Sequence, residues 1–189
     1  NRKSYTFPDE DEDREMYELT EKVLGQAGFW CYEISNYARE GRECRHNMVY
    51  WRRGDYAGFG LGASSMVGNV RWKNPDGQRM TAVDESRGVY SEETQAERAA
   101  RMTIAGACEV QPLTVQEQME EFMFLGLRLT EGVDLGEFRQ YFGKSADEIY
   151  GKQIRTFTGQ RLMEREGERL RLTPRGIDVS NAVFAAFLF

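Results

Sequence analysis

The sequence predicts a protein of mixed class, α/β followed by α+β, with a boundary near residues 110–113. Residues 1–110 open with a helical hydrophobic stripe that runs into an aromatic-rich strand, the order of elements typical of an α/β unit. Residues 111–189 carry two helix-capping pairs, a hairpin and a proline-initiated helix. This order of elements in residues 111–189 predicts a winged-helix-like, mostly helical C-terminal domain.

The first predicted element is an acidic helix. Residues 9–21 hold eight acidic residues, and carboxylates are favoured at the positive end of a helix dipole. Gly28 is expected to end this helix, and the aromatic run over residues 29–34 predicts a strand. The stripe at helical spacing consists of Met16, Thr20, Val23, Leu24 and Ala27.

The segment 35–68 is predicted to be irregular because glycines punctuate it. Asn-Pro-Asp-Gly at residues 74–77 is a strong turn signal and predicts a hairpin between residues 70–73 and 79–83. The remaining elements expected before the boundary are a polar helix over residues 84–100 and a strand within residues 101–110.

The C-terminal domain is predicted from capping boxes. Thr114 pairs with Glu117, and Ser145 pairs with Glu148, at the starts of two helices. The residues expected to face inward on the first of these helices are Val115, Met119, Phe122 and Met123. A short helix is expected to carry Leu135, Phe138 and Tyr141, and the second capped helix to carry Ile149, Ile154 and Phe157 on one face.

A hairpin over residues 162–172 is expected to turn near Gly167, and Thr173-Pro174 to start the last helix. A winged helix also raises the hypothesis of a DNA-binding regulator. Residues 114–189, however, hold ten basic against twelve acidic residues, and the chain has a net charge of -6. Phosphate backbones require a basic footprint, so we expect no nucleic-acid partner and a structural role for the fold.

Two further observations limit the class of protein. No apolar stretch approaches the ~20 residues that span a bilayer, so no transmembrane segment is expected. The three cysteines, Cys31, Cys44 and Cys108, are odd in number and widely spaced, which predicts no disulfide framework and a cytoplasmic location.

The candidate ligand-binding residues lie within residues 33–56. This stretch contains the only histidine, His46, together with the aromatic residues Tyr50, Trp51 and Tyr56 and five arginines. Aromatic faces stack, guanidiniums pair with carboxylates and an imidazole can ligate iron, so the mixture suits a flat aromatic ligand bearing carboxylates. The alternative from composition alone is that His46 is a structural hydrogen-bonding residue.

Four motifs carry a family resemblance. They begin at Tyr32 (Tyr-Glu-Ile-Ser-Asn-Tyr-Ala), Glu43 (Glu-Cys-Arg-His-Asn-Met-Val-Tyr-Trp), Gly54 (Gly-Asp-Tyr-Ala-Gly-Phe-Gly) and Arg171 (Arg-Leu-Thr-Pro-Arg-Gly-Ile-Asp-Val-Ser-Asn). The chain thereby resembles the heme-chaperone branch of the radical S-adenosylmethionine proteins related to oxygen-independent coproporphyrinogen III oxidase. The match follows the family's order over nearly the whole chain.

The resemblance implies that the chain is the C-terminal part of such a protein. Residues 1–110 would then hold the last helix-strand unit of a partial radical-SAM (β/α) barrel, with an irregular extension and a hairpin, and residues 111–189 the winged-helix-like domain. An open barrel remnant would expose apolar surface and an unpaired strand edge.

The resemblance also implies site residues. The family pattern His-Asn-x-x-Tyr, proposed for heme binding, falls on His46, Asn47 and Tyr50, with His46 as the ligand of the heme iron. The arginines expected to pair with heme propionates are Arg45, Arg52 and Arg53.

A second implied site is the stretch Gly62, Ala63 and Ser64, which in related oxidases lies against S-adenosylmethionine. Ser64 stands where the family usually has histidine. Glycines here would let the backbone approach the cofactor closely.

The implied cofactors are heme and, in the full-length protein, a [4Fe-4S] cluster and S-adenosylmethionine. Family members hold the cluster on Cys-x3-Cys-x2-Cys, which this chain lacks, so radical chemistry is not expected of the chain alone. Two functions stay open. One is a chaperone that binds heme or porphyrin and delivers heme to an acceptor protein; the other is part of an oxidase acting on coproporphyrinogen III.

Overall fold

A computed structural model describes residues 7–75 and 108–188, which fall into two units divided between Cys44 and Arg45. The boundary predicted near residues 110–113 lies inside the second unit, where the backbone N–H of Leu113 donates to the carbonyl of Asn69 over 2.8 Å. The division into domains 1–110 and 111–189 stays a prediction.

The first unit begins with the predicted acidic helix, α1 (Glu10–Gln26). The Asp9 carboxylate accepts the backbone N–H of Glu12, and the Glu12 carboxylate accepts that of Asp9, a reciprocal cap. Two of its stripe residues, Met16 and Val23, are 51% and 53% exposed. Part of the apolar stripe of α1 is therefore exposed.

A two-stranded antiparallel hairpin follows, formed by β1 (Trp30–Glu33) and β2 (Asn36–Ala38). The predicted strand over residues 29–34 is therefore present, and it pairs with a strand from the segment predicted to be irregular. The buried Glu33 carboxylate accepts the amide of Asn36 and holds the turn.

The second unit opens with a short helix, α2 (Arg45–Trp51), followed by β3 (Ser64–Val67), β4 (Val70–Lys73) and β5 (Cys108–Pro112). These strands form an antiparallel sheet of order β3-β4-β5.

Two of these elements lie in the segment predicted to be irregular. Glycine there makes a turn rather than an irregular coil, because Gly68 and Asn69, with φ of 55° and 67°, form the two-residue hairpin loop between β3 and β4. The expected strand at residues 79–83 and helix at residues 84–100 lie outside the described residues. β5 overlaps the end of the strand expected within residues 101–110.

The remaining described elements follow the expected order of three helices, a hairpin and a last helix, with two differences. A short strand is added after the first helix, and the predicted last helix is divided into two. These elements are α3 (Val115–Gly126), β6 (Val133–Asp134), α4 (Leu135–Phe142), α5 (Ala146–Gly159), β7 (Met163–Glu166), β8 (Arg169–Leu172), α6 (Pro174–Asp178) and α7 (Ser180–Ala185).

Both predicted capping pairs begin a helix, one of them as a complete box. Thr114 and Glu117 form the full reciprocal box at the start of α3, whereas at the start of α5 Ser145 Oγ accepts the N–H of Glu148, which is one half of the predicted box. The hairpin β7–β8 turns at Gly167, and β6 adds to β8 to give a sheet of order β6-β8-β7. Across the described residues the three sheets are small, and none closes into a barrel.

The core of these elements is built on Met123, Phe138, Tyr150 and Leu170, all fully buried. Val115, predicted to face inward, lies in the first turn of α3 and is 58% exposed. Tyr141 on α4 is 75% exposed, and its ring centroid lies 6.3 Å from that of Phe122, farther than those of Phe138 and Phe142.

Candidate functional site

Helix α2 places His46 and Tyr50 on the same side, one turn apart. Their rings meet edge to face with centroids 4.8 Å apart, and the ring of Tyr50 in turn meets that of Tyr56 at 4.5 Å. Tyr56 is fixed to the sheet, since its backbone exchanges hydrogen bonds of 2.8 and 2.9 Å with Met66. The His46 imidazole is exposed to solvent and backed by an anchored row of aromatic rings.

The other member of the histidine pattern, Asn47, is half-buried on α2, and Arg45 is exposed beside His46. The structure therefore brings His46 and Tyr50 together, with Arg45 adjacent to His46 along the helix.

The two other arginines predicted to pair with propionates have carboxylate partners within the chain. Arg52 Nη2 donates to Glu131 Oε1 over 2.9 Å at the surface. Arg53 Nε donates to Glu121 Oε2 over 3.0 Å, and the side chains of this pair are 12% and 9% exposed. Sequence reasoning missed both partners, because they lie more than sixty residues away and no local spacing marks them.

Glu121 also accepts from Arg71 Nη2 on β4 over 2.8 Å. Burial tends to lower the pKa of the Arg71 guanidinium, but the Glu121 carboxylate outweighs that effect and the pKa is raised above its usual value. The buried Glu121 carboxylate on α3 thus binds Arg53, two residues after the end of α2, and Arg71 on β4 of the neighbouring sheet.

The glycine-rich loop before β3 is closed by a buried asparagine. Asn74 Nδ2 donates to the carbonyls of Gly58 and Gly60, over 3.1 and 2.9 Å. A Cβ on Gly58 would overlap the carbonyl oxygen of Ser64, so this close backbone packing requires glycine.

Within this loop, Gly62 has a φ of 65° and donates its N–H to Pro75, and the Ala63 carbonyl accepts the N–H of Asn74 over 2.8 Å. Ser64 is the exposed first residue of β3. The three residues predicted to lie beside S-adenosylmethionine are contiguous on a tight backbone, and their contact with that cofactor stays a prediction.

A cavity of about 590 Å³ lies in the second unit between the end of α2 and helices α3 and α4. Trp51, Arg52 and Arg53 line one side, and Phe122 and Phe142 lie opposite. Neither His46 nor Tyr50 lines it. The cavity and the exposed imidazole are therefore separate features of the second unit.

Within residues 7–75 and 108–188, no group of three or more His, Cys, Asp or Glu could hold a metal ion. Cys31 Sγ donates to the Glu33 carbonyl, and burial raises the pKa of its thiol, which disfavours the thiolate that a cluster requires. These residues do not fit a [4Fe-4S] cluster. Over the same ranges, the helices fall short of the length and apolar character that a membrane span needs.

Comparison with known proteins gives one consistent result. Residues 113–179 match the HemN C-terminal domain family. The chain is 32% identical over 184 residues to the protein named heme chaperone HemW of Lactococcus lactis, and likewise to that of Bacillus subtilis, covering 96% of this chain and 44% of each relative. It is 30% identical to heme chaperone HemW of Escherichia coli, with the same coverage. The chain thus spans less than half the length of these relatives.

A solved structure is similar in fold. The coproporphyrinogen III oxidase HemN of Escherichia coli, described as a radical SAM enzyme, superimposes with a TM-score of 0.64 at 15% identity, covering 95% of this chain and 42% of that one. This likeness establishes the fold of the aligned part.

Proposed function

We propose that the chain belongs to the family of HemN-related radical S-adenosylmethionine proteins that includes the heme chaperones named HemW, and that it forms the heme-holding part of such a chaperone. The complete protein would bind heme or porphyrin and deliver heme to an acceptor protein. The observation that carries this proposal is the exposed imidazole of His46 backed by the ring of Tyr50.

His46 is suited to ligate iron, because its imidazole is exposed and its ring orientation is restrained by an aromatic neighbour. Heme, the cargo, supplies an iron centre that takes an axial nitrogen ligand. Tyr50 offers an apolar ring edge next to that position, and Asn47 completes the family pattern.

Arg45 is the propionate partner in this proposal. Its guanidinium is exposed next to His46, whereas Arg52 and Arg53 already pair with Glu131 and Glu121. A charge-assisted hydrogen bond from Arg45 to a propionate contributes roughly 1.5–3 kcal/mol.

Residues 111–189 serve as a winged-helix-like cover in the proposed protein and not as a nucleic-acid reader. Their balance of ten basic and twelve acidic residues over positions 114–189 supports this role. The tight loop at Gly62, Ala63 and Ser64 would approach S-adenosylmethionine in the complete protein, where a cluster would be held by other residues. The odd number and wide spacing of the three cysteines favour a cytoplasmic location.

The test is a hemin titration of the complete protein, followed by its Soret absorbance. His46→Ala should abolish the Soret shift of bound hemin while leaving the free energy of unfolding within about 0.5 kcal/mol, as expected for an exposed residue. Arg45→Ala should weaken hemin binding, and Arg175→Ala, an exposed arginine on α6, should not.

An unchanged hemin spectrum in His46→Ala, combined with a loss of stability, would show that His46 is structural and would overturn the proposal. Turnover of coproporphyrinogen III by the complete, anaerobically reconstituted protein, without hemin binding, would favour the oxidase function instead.

A further inference from the structure

At the end of α2 and just beyond it, three consecutive residues each contact a charged residue of α3 or of the loop after α3. They are Trp51, Arg52 and Arg53. The Arg128 guanidinium lies 4.4 Å from the centroid of the Trp51 ring, and the next two residues pair with Glu131 and Glu121. We propose that Glu121 is a positioning residue for the heme site: through Arg53 it fixes the end of α2 and so the direction in which His46 points. This inference rests on the proposed function of His46.

The first argument is burial. The Glu121–Arg53 pair is almost fully buried, whereas the side chains of the neighbouring Arg52–Glu131 pair are 60% and 50% exposed. Exposed ion pairs contribute little to stability, but removing one partner of a buried pair leaves a charge without compensation. Of the two ion pairs, the one made by Glu121 therefore contributes more to fixing the end of α2.

The second argument is the backbone at Arg53. Its φ of 56° is left-handed, a conformation that L-residues other than glycine rarely adopt. The neighbouring Gly54 N–H returns to the Val49 carbonyl over 2.7 Å and ends the helix there. Such a conformation persists where side-chain contacts over-determine it, here those from Arg53 to Glu121 and to Asn69 Oδ1.

The third argument is that Glu121 joins two elements on which the site depends. Its second oxygen accepts from Arg71 on β4, which pairs with β3. Met66 of β3 holds Tyr56, whose ring packs on that of Tyr50. Glu121 therefore acts on α2 from its C-terminal end and, through the sheet, on the aromatic row behind His46.

The experiment measures hemin affinity and spectrum in the complete protein. Glu121→Gln keeps the size of the side chain and removes its charge. We expect hemin affinity to fall about tenfold, the lower end of the range for residues that orient a metal ligand. The Soret position should not change, because His46 remains the ligand. Glu131→Gln is the matched control, and its hemin affinity should stay within about twofold of wild type, as for an exposed pair.

A second readout follows the helix itself. Hydrogen exchange at the backbone amides of residues 49–52 should speed up in Glu121→Gln and in Arg53→Gln, but not in Glu131→Gln. If Glu121 acts through Arg53, the double variant Arg53→Gln/Glu121→Gln should bind hemin no more weakly than the weaker single variant.

Wild-type hemin affinity in Glu121→Gln, or a loss equal to that of Glu131→Gln, would overturn the inference. Should Glu121→Gln fail to fold, Arg53→Gln decides by the same two readouts. Absence of hemin binding by the wild-type protein would refute the proposed function and, with it, the heme role of Glu121. The exchange measurement would in that case still report separately whether Glu121 holds α2.

Discussion

The imidazole of His46 meets the phenol ring of Tyr50 edge to face, with the ring centroids 4.8 Å apart. The two residues are four apart on α2, so this contact follows from helical geometry alone. The ring of Tyr56, from a different part of the second unit, also contacts the ring of Tyr50, with the centroids 4.5 Å apart. Local spacing sets the pair, and tertiary structure holds it in place.

The Tyr50 ring is predicted to support the His46 imidazole through its aromatic body. Tyr50→Ala should weaken hemin binding about two- to tenfold, since an aromatic pair contributes about 0.5–1.5 kcal/mol and tenfold corresponds to about 1.4 kcal/mol. Tyr50→Phe should bind as the wild type does. Hemin titration of both variants checks this, and an equal loss in Tyr50→Phe would show that the hydroxyl is what matters.

The cap of α3 should contribute measurably to stability. Thr114 Oγ1 accepts the N–H of Glu117 over 3.2 Å, so Thr114→Ala should lower the free energy of unfolding by about 1 kcal/mol. Thr156→Ala, an exposed threonine within α5, is the control and should change it by less than about 0.5 kcal/mol. Urea denaturation measures both, and equal effects would contradict the capping role.

Gly176 on α6 is predicted to admit no side chain. A Cβ there would overlap the carbonyl oxygen of Leu162, a backbone atom that cannot move aside cheaply. Gly176→Ala should therefore destabilise the protein by about 1–3 kcal/mol, as overpacking does. The matched control is Gly159→Ala, at the end of α5 where the added methyl meets open space, and it should be neutral or stabilising by up to about 1 kcal/mol. Thermal melts of the two variants compare them directly.

Tyr150 should make stability fall at alkaline pH. Its side chain is fully buried, and burial, with a smaller effect from Glu120, raises the pKa of its phenol far above the ordinary value. An unfolded tyrosine ionises near pH 10, while the folded protein keeps the proton, so above about pH 10 the unfolded chain binds fewer protons and stability decreases.

In Tyr150→Phe, the free energy of unfolding should decrease less steeply between about pH 9 and pH 11, the range around the ordinary tyrosine pKa of about 10. Tyr141→Phe, which alters an exposed tyrosine, should leave the decrease unchanged. Urea denaturation across that pH range tests the difference, and identical pH profiles for Tyr150→Phe and wild type would refute it.

The sequence by itself determined the features that depend on neighbours within a few residues. The cap at Thr114, the hairpin turn at Gly167 and the proline start at Pro174 each involve groups at most four positions apart. The pairing of His46 with Tyr50 is also local once α2 has formed, but this helix lies in the segment predicted to be irregular, so the prediction missed the pair. Such interactions need only the correct backbone conformation, which local spacing encodes.

Only the tertiary structure decided which arginines near His46 are exposed and which are paired with carboxylates of the chain. Arg53 and Glu121 are 68 residues apart, and Arg52 and Glu131 are 79 apart, so no local pattern could reveal that Arg52 and Arg53 are paired and Arg45 is exposed. Tertiary packing likewise decided that Tyr141 is exposed while Leu135 and Phe138, which the sequence places on the same short helix, are buried. Helical periodicity defines a face several residues wide, and the packing partner, here Phe122, decides which residues of that face are covered.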